Sequence, residues 1–348
     1  VEHGNGWFAT RTPVAVNLAQ FTGTINATAD MADTYPRFTL NTSSGMPDGT
    51  LNIAGGVTVQ NTGRTFRIGK LAGKGALGGY ASFANDGATG VNTWQVGCDD
   101  DFTWVGTVTA NSKFEKVGSG KMTVSGVWDN TGEVAVKEGT LCLNDRSAEN
   151  AMLGSGDLSV EDGAVLCGLG KLGNASVTVK RGGRLYSGTR EGASSGSLDF
   201  SGKRLTVSAG GEVMFNVASK VRCTTLEGIT SFSLRGTLKV SVREGLELEA
   251  GDEFQLWTAN RTVLSSACTL DLDSPGEGLE WDTSALEDGV LKVKTATGIM
   301  GVVSGEPVDC VVYTLDGARA GYFTCMPSEV REYMEENGFR PGMYMVKM

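Results

Sequence analysis

Three consecutive acidic residues, Asp99-Asp100-Asp101, lie between two tryptophans, Trp94 and Trp104. Glycoside hydrolysis uses a pair of carboxylates, and calcium sites are built from carboxylate oxygens. An indole ring beside such acids offers an apolar face on which a sugar ring can stack. Side chains on a strand alternate between its two faces, so at most Asp99 and Asp101 point the same way. The sequence therefore predicts a carbohydrate-binding site made of Trp94, Asp99, Asp101 and Trp104.

Other interpretations of this cluster stay open. The aspartates can form a solvated acidic turn, with Trp104 filling a core position, or they can be the acidic centre of a catalytic site. The only histidine is His3, near the first residue. A Ser/His/Asp or Cys/His arrangement therefore lacks its base, and a histidine-built metal site is excluded. The sequence predicts no catalytic residue, no metal and no cofactor.

The seven cysteines are scattered singly and none forms a C-x-x-C pair. A zinc knuckle or a dense disulfide framework is therefore not indicated. We expect most of them to be small buried residues on strands. Cys310 and Cys325 are close enough in sequence to pair, but the spacing does not decide whether they do.

Composition and charge limit the class of protein. Gly accounts for 50 of the 348 residues and Pro for only 7, which favours many tight turns between short strands. The net charge of −10 argues against nucleic acid and anionic lipid as partners, because both require clustered Lys and Arg. No apolar run has the length of a membrane-spanning helix. Residues 1–6 do not read as a signal peptide, so we expect export to depend on a signal that precedes this sequence. The oligomeric state is not indicated.

One pattern recurs along the chain: two apolar residues in alternation, a glycine three positions later, and a further apolar residue shortly after it. The copies begin at Leu51, Val134, Leu158, Val177, Leu205 and Leu246. Alternation on both sides of the glycine predicts two short strands joined at a corner. The glycine supplies the positive φ or the close backbone approach that such a corner needs. Spacings of 19 to 28 residues between the glycines at 139, 163, 182 and 210 indicate stacked repeats rather than propeller blades.

Residues 102–126 carry the motif Phe114-x-Lys116-x-Gly118-x-Gly120-x-Met122, and residues 133–141 follow with V-x-V-x-x-G-x-L. Together they resemble the autotransporter-associated β-strand repeat of bacterial surface proteins. Weaker matches lie at residues 21–25 and 68–77, and residues 251–256 and 278–286 resemble the segments that close such arrays. The resemblance covers about residues 15–295 and implies a right-handed parallel β-helix exposed outside the cell.

The C-terminal segment has a different pattern. Residues 307–319 and 339–347 resemble the C-terminal β-domain of Bacteroidetes secreted proteins, which in its better-known form directs type IX secretion. The predicted fold is therefore all-β, with a right-handed parallel β-helix (a solenoid) over residues 1–295. A small β-sandwich-like C-terminal domain is predicted over residues 296–348.

These features lead to one functional hypothesis and two alternatives. We expect a non-catalytic stalk or adhesin, secreted or on the outer cell surface, that contacts an extracellular polysaccharide or a host surface glycan. The first alternative is a carbohydrate-active β-helix enzyme, a polysaccharide lyase or hydrolase, with Asp99 to Asp101 as its acidic centre. The second is a glycan-binding module of a larger enzyme.

Overall fold

The computed structural model describes residues 17–28, 37–40, 44–61, 63–79, 92–109, 112–144, 153–192, 196–296, 308–314, 319–326, 333–334 and 344–347. The chain divides into two compact units, Val1–Lys294 and Thr295–Met348. Within the described residues, no helix has the length and apolar character needed to cross a membrane.

Short strands account for most of the described chain. The first fifteen are β1 (Thr24–Ala27), β2 (Arg37–Leu40), β3 (Met46–Ile53), β4 (Thr58–Asn61), β5 (Thr65–Gly73), β6 (Ala76–Gly79), β7 (Asn92–Val96), β8 (Phe102–Trp104), β9 (Thr107–Val108), β10 (Ser112–Lys116), β11 (Lys121–Val124), β12 (Val134–Val136), β13 (Thr140–Asn144), β14 (Leu158–Val160) and β15 (Val165–Lys171). The others are β16 (Ser176–Val179), β17 (Arg184–Ser187), β18 (Gly196–Val207), β19 (Glu212–Ser219), β20 (Arg222–Leu234), β21 (Thr237–Val242), β22 (Glu253–Gln255), β23 (Trp257–Ala259), β24 (Thr262–Leu264), β25 (Thr269–Leu272), β26 (Leu279–Asp282), β27 (Val290–Thr295), β28 (Val308–Thr314), β29 (Arg319–Cys325) and β30 (Tyr344–Lys347). A 3₁₀ helix spans Leu286–Asp288.

Twenty strands form one sheet, whose described pairs are parallel apart from an antiparallel contact between β19 and β20. Strands β2, β4, β6 and β9 form a second parallel sheet. A three-stranded sheet contains β22, β26 and β27, and β22 pairs with β27 in antiparallel orientation. The prediction of an all-β chain built mainly from parallel strands is confirmed.

Pairing between strands that are not consecutive sorts the large sheet into two ladders. The first ladder runs through β7, β10, β12, β14, β16, β18 and β20. The second runs through β8, β11, β13, β15, β17, β19 and β21. We call one passage through a first-ladder strand and the following second-ladder strand a circuit. Because every circuit repeats the same two directions, each strand pairs with its counterparts in the circuits before and after it.

Apolar side chains from successive circuits line up in buried rows. In the first ladder, one row consists of Trp94, Phe114, Val134, Leu158, Val177, Leu205 and Phe232. In the second ladder, a row consists of Met122, Leu141, Leu166, Leu185, Val213 and Leu238. Burying a side chain of this size contributes about 1.5–3 kcal/mol. The period-2 alternation of the sequence therefore forms a core that is continuous from circuit to circuit.

The glycines of the repeat lie at the corners between the two ladders. Gly139, Gly163, Gly182 and Gly210 each connect a first-ladder strand to the second-ladder strand of the same circuit. Their φ angles lie between 61° and 77°. Residues other than glycine rarely adopt these φ values, because the Cβ atom collides with the following carbonyl oxygen. The predicted role of these glycines is confirmed.

In the second unit, the described residues form an antiparallel sheet with β28 between β29 and β30. Its buried side chains are Cys310, Val312, Phe323 and Cys325, and the Tyr333 ring stacks on Phe323 at a centroid distance of 4.6 Å. The described residues of this unit contain this one sheet, and the β-sandwich stays a prediction. Cys310 and Cys325 lie in one cluster and are not joined by a disulfide.

Candidate functional site

The three aspartates lie in the turn between β7 and β8, residues 97–101, which we call the acidic turn. The turn begins at Gly97, whose φ of 143° is a conformation that L side chains rarely adopt. All three carboxylates are exposed, as expected for unburied charges. The structure thus places the acids at a corner of the fold and not on a strand face.

Two of the three carboxylates contact the following circuit. Asp99 accepts a hydrogen bond from Ser119 Oγ at 2.8 Å, and Asp101 accepts one from the backbone N–H of Lys121 at 2.7 Å. The hydrogen bonds from Ser119 hold the pKa of the Asp99 carboxyl below its usual value. Both carboxylates therefore accept hydrogen bonds from the neighbouring turn. This structural role agrees with the alternative interpretation, a solvated acidic turn.

The third carboxylate reaches in the opposite direction. Asp100 forms an ion pair with Lys70 of β5 at 2.7 Å, and the hydrogen bond to Asp100 raises the pKa of that lysine. The Asp100 side chain is 75% exposed, so solvent screens the pair strongly. The acidic turn consequently links the circuit on one side to β5 and on the other to β11.

The two tryptophans of the predicted site lie in the core. Trp94 is 0% exposed and donates its Nε1–H to the carbonyl of Gly78 at 3.3 Å. Trp104 is 1% exposed, and its ring lies 6.0 Å from that of Trp128. Neither indole presents a face to solvent. Trp104 has the core position that was its alternative interpretation, and Trp94 is packed in the core as well. Of the four predicted site residues, Asp99 and Asp101 are exposed for a ligand, and their role in binding stays a prediction.

A lysine that the sequence left without a separate role lies behind the acidic turn. Lys116, the lysine of the K-x-G-x-G motif, pairs in register with Val96 on one side and Val136 on the other. Its side chain is fully buried, as theirs are. The motif was visible in the sequence, but a lysine within a row of valines is not a pattern that hydrophobic periodicity predicts.

The Lys116 ammonium has three carbonyl partners. Nζ donates to Val117 O at 2.9 Å, to Gly118 O at 2.8 Å and to Glu138 O at 3.1 Å. Burial lowers the pKa of Lys116 to about 8, although Cys98, Glu138 and two of the three aspartates of the turn, Asp99 and Asp101, oppose this. All three donors of the group are directed at the backbone of its own and the next circuit. The contacts of Lys116 therefore fasten two corners together and are not directed at a substrate.

Raising the pH through the range from about 8 to 10.5 is expected to stabilise the wild-type protein relative to the Lys116→Met variant. The folded-state pKa lies below the unfolded value, so the unfolded chain binds more protons in this range and stability rises with pH. Below this range both states hold the proton, and the difference is constant. Melting temperatures of both proteins across the range measure the effect. A difference that is flat or of opposite sign would contradict the assignment.

An open pocket lies farther along the second ladder, beside β17 and β19. Its lining residues are Tyr186, Ser187, Glu191, Gly192, Met214, Phe215, Asn216, Thr224 and Ser241. The pocket is remote in sequence from the acidic turn, and the sequence pattern gave no signal for it. Within the described residues, no group of three or more His, Cys, Asp or Glu side chains is arranged to hold a metal ion.

Neither a protein-family model nor a curated protein matches the chain. Function is therefore inferred from the arrangement of the circuits and from the contacts of their corners.

Proposed function

We propose that the chain is a right-handed parallel β-helix that serves as a non-catalytic stalk or adhesin, secreted or on the outer cell surface. The ladders are then two faces of the solenoid, and each circuit covers the apolar face of the next. The resemblance of residues 102–141 to autotransporter-associated repeats supports this proposal. So does the register of the two ladders, which repeats over consecutive circuits.

One observation carries the proposal: the polar groups at the acidic turn are engaged between circuits. Asp99 and Asp101 accept hydrogen bonds from the next corner, and Lys116 donates to two carbonyls of that corner and to one of the corner after it. A catalytic acid or base must reach a reacting atom of the substrate. Groups committed to neighbouring corners instead make a stack of circuits rigid, which is the property that a stalk requires.

The segments that follow the last circuits also have roles in this proposal. The sheet of β22, β26 and β27 closes the last circuits, because an open end would expose unpaired strand edges. Phe254 and Leu291 are paired and buried there, and the Trp281 ring lies 6.0 Å from Phe254. The unit after residue 295 is proposed to be the β-sandwich-like domain of the type IX secretion kind, acting as a sorting signal or as a cap.

The enzyme alternative has one observation in its favour. The Asp99 and Asp101 carboxylates are exposed beside a lysine whose pKa is lowered. Acids of this kind next to a basic group are the components of polysaccharide cleavage, by hydrolysis or by elimination. The amine of that lysine is enclosed, however, so a substrate has no path to it without opening the corner.

A panel of polysaccharides, acidic and neutral, separates the two functions. The protein is incubated with each, and new reducing ends and unsaturated products are measured beside binding to an immobilised glycan array. We expect binding to a subset of glycans, or none, and no cleavage. Cleavage that is lost in Asp99→Asn and Asp101→Asn, and retained in the matched surface variant Asp271→Asn, would replace the stalk proposal with the enzyme.

A further inference from the structure

Two cysteines lie side by side on the outer face of the second ladder. Cys142 of β13 and Cys167 of β15 are direct register partners on neighbouring parallel strands. The next residue of the same row is Tyr186 of β17. Both thiols are 0% exposed, and with Val165 they form a small cluster separate from the main core. Two cysteines in adjacent repeats therefore meet although 25 positions separate them in sequence.

The cluster is covered by the turn that follows β17. The carbonyl of Thr189 lies 3.8 Å from Cys142 Sγ and also accepts a hydrogen bond from Lys121 Nζ. Lys121 lies on β11, in the circuit that precedes Cys142. The thiols are consequently enclosed by one turn and a lysine side chain, and not by the packed interior. The open pocket lined by Tyr186, Glu191 and Gly192 adjoins the same turn.

The geometry of a parallel ladder suits a covalent bond between these two residues. Neighbouring strands lie about 4.8 Å apart, and register partners project to the same face. Disulfides join residues whose Cα atoms are roughly 4.4–6.8 Å apart, but they prefer Cβ atoms only about 3.8 Å apart. Partners in a parallel ladder satisfy the first distance and exceed the second. A disulfide formed between them would therefore be strained and easily reduced.

The two sulfurs are not equivalent. The hydrogen bond with Cys167 lowers the pKa of the Cys142 thiol, and the positive charge of Lys121 acts in the same direction. The same hydrogen bond raises the pKa of Cys167, with burial adding to it. Cys142 is thus the more acidic thiol of the pair, and Cys167 is the less acidic one.

We propose that Cys142 and Cys167 form a redox-modification site at which an oxidant converts the dithiol into a reversible disulfide between adjacent circuits. With hydrogen peroxide, Cys142 loses its proton and its sulfur attacks one peroxide oxygen. The O–O bond breaks, and the hydroxide that leaves takes up that proton, so a sulfenic acid and one water form. The Cys167 sulfur then attacks the Cys142 sulfur, the S–O bond breaks, and the departing hydroxyl takes the Cys167 proton to form the second water. Two electrons and two protons pass from the thiols to one peroxide. This site is independent of the proposed stalk or adhesin function.

Peptide mapping tests the site directly. Trypsin places Cys142 in the peptide 138–146 and Cys167 in the peptide 147–171, and each peptide contains one cysteine. The folded protein is treated with peroxide, unreacted thiols are alkylated, and the digest is analysed without reduction. We expect a cross-linked pair of these peptides that has lost two hydrogens and that separates on mild thiol treatment. Cys167→Ser is expected to leave Cys142 as a sulfenic acid that dimedone traps.

A second measurement keeps the outcome decisive if peroxide reaches the cluster slowly. The unfolded chain is refolded in a glutathione redox buffer, where oxidised glutathione accepts the two electrons and the chain selects its own pairing. Lys121→Met is expected to slow the peroxide reaction, with Lys113→Met, an exposed lysine of β10, as its control. Full alkylation of Cys142 and Cys167 after both treatments, while other cysteines are oxidised, would overturn the proposal.

Discussion

Replacing Gly97 with alanine is expected to lower the free energy of unfolding by more than about 4 kcal/mol, a size reserved for severe steric or burial defects. An added Cβ would lie 1.7 Å from the carbonyl oxygen of Val117, far inside van der Waals contact. The neighbour is backbone of the next circuit, so it cannot rotate away. The same carbonyl accepts a hydrogen bond from Lys116 Nζ, so a shift would also break that contact. Urea midpoints and melting temperatures measure the loss.

Gly163→Ala is the matched control for this prediction. Gly163 has a φ of 72°, but nothing lies within 4 Å of its added Cβ. Its replacement should cost only the backbone strain, about 1–2 kcal/mol. The difference between the two variants isolates the close approach of neighbouring circuits. Equal losses in both proteins would show that the circuits do not approach as closely at Gly97 as described.

Lys116→Met is expected to lower the free energy of unfolding by about 2–3 kcal/mol, the cost of leaving buried acceptors without donors. Methionine fills the row between Val96 and Val136 with a side chain of similar length, so lost packing is not the main cause. The carbonyls of Val117 and Gly118 lose their charged donor. Thermal and urea unfolding, followed by circular dichroism, give the size of the effect.

Lys113→Met separates the loss of the buried contact from the loss of a charge. Lys113 lies on the same strand, but its side chain is 43% exposed and pairs with Glu133 at 3.5 Å. An exposed pair of this kind contributes about 0–1 kcal/mol. A loss of stability in Lys116→Met no larger than that in Lys113→Met would rule out Lys116 as a fastening between corners.

Much of the fold was predictable because the residues of each repeat specify its two strands and the corner between them. Alternation at Val134 and Val136 orients both side chains to one face, and Gly139 after them permits a corner that other residues resist. Neither inference needs a distant contact. The strands of the large sheet and their parallel pairing follow from patterns of this local kind once they recur.

The candidate site was less predictable because its chemistry depends on which side chains are buried. Trp94 and Trp104 flank the aspartates in sequence, yet their rings lie in the core. In the strands that precede and follow the acidic turn, alternation directs each indole to the interior. The spacing of residues could not show that the acids are exposed while the two rings are buried.

By itself, the sequence determined that the chain is all-β and that its corners fall at glycines, but it left open whether the acids form an exposed turn. Alternation and positive-φ glycines act over a few residues, so a local pattern specifies them. Only the tertiary structure decided that Lys116 reaches a carbonyl of the next circuit, and that Cys142 meets Cys167. Such contacts depend on the register between circuits. Loops of unequal length separate one circuit from the next, so the register cannot be derived from the period of the sequence pattern.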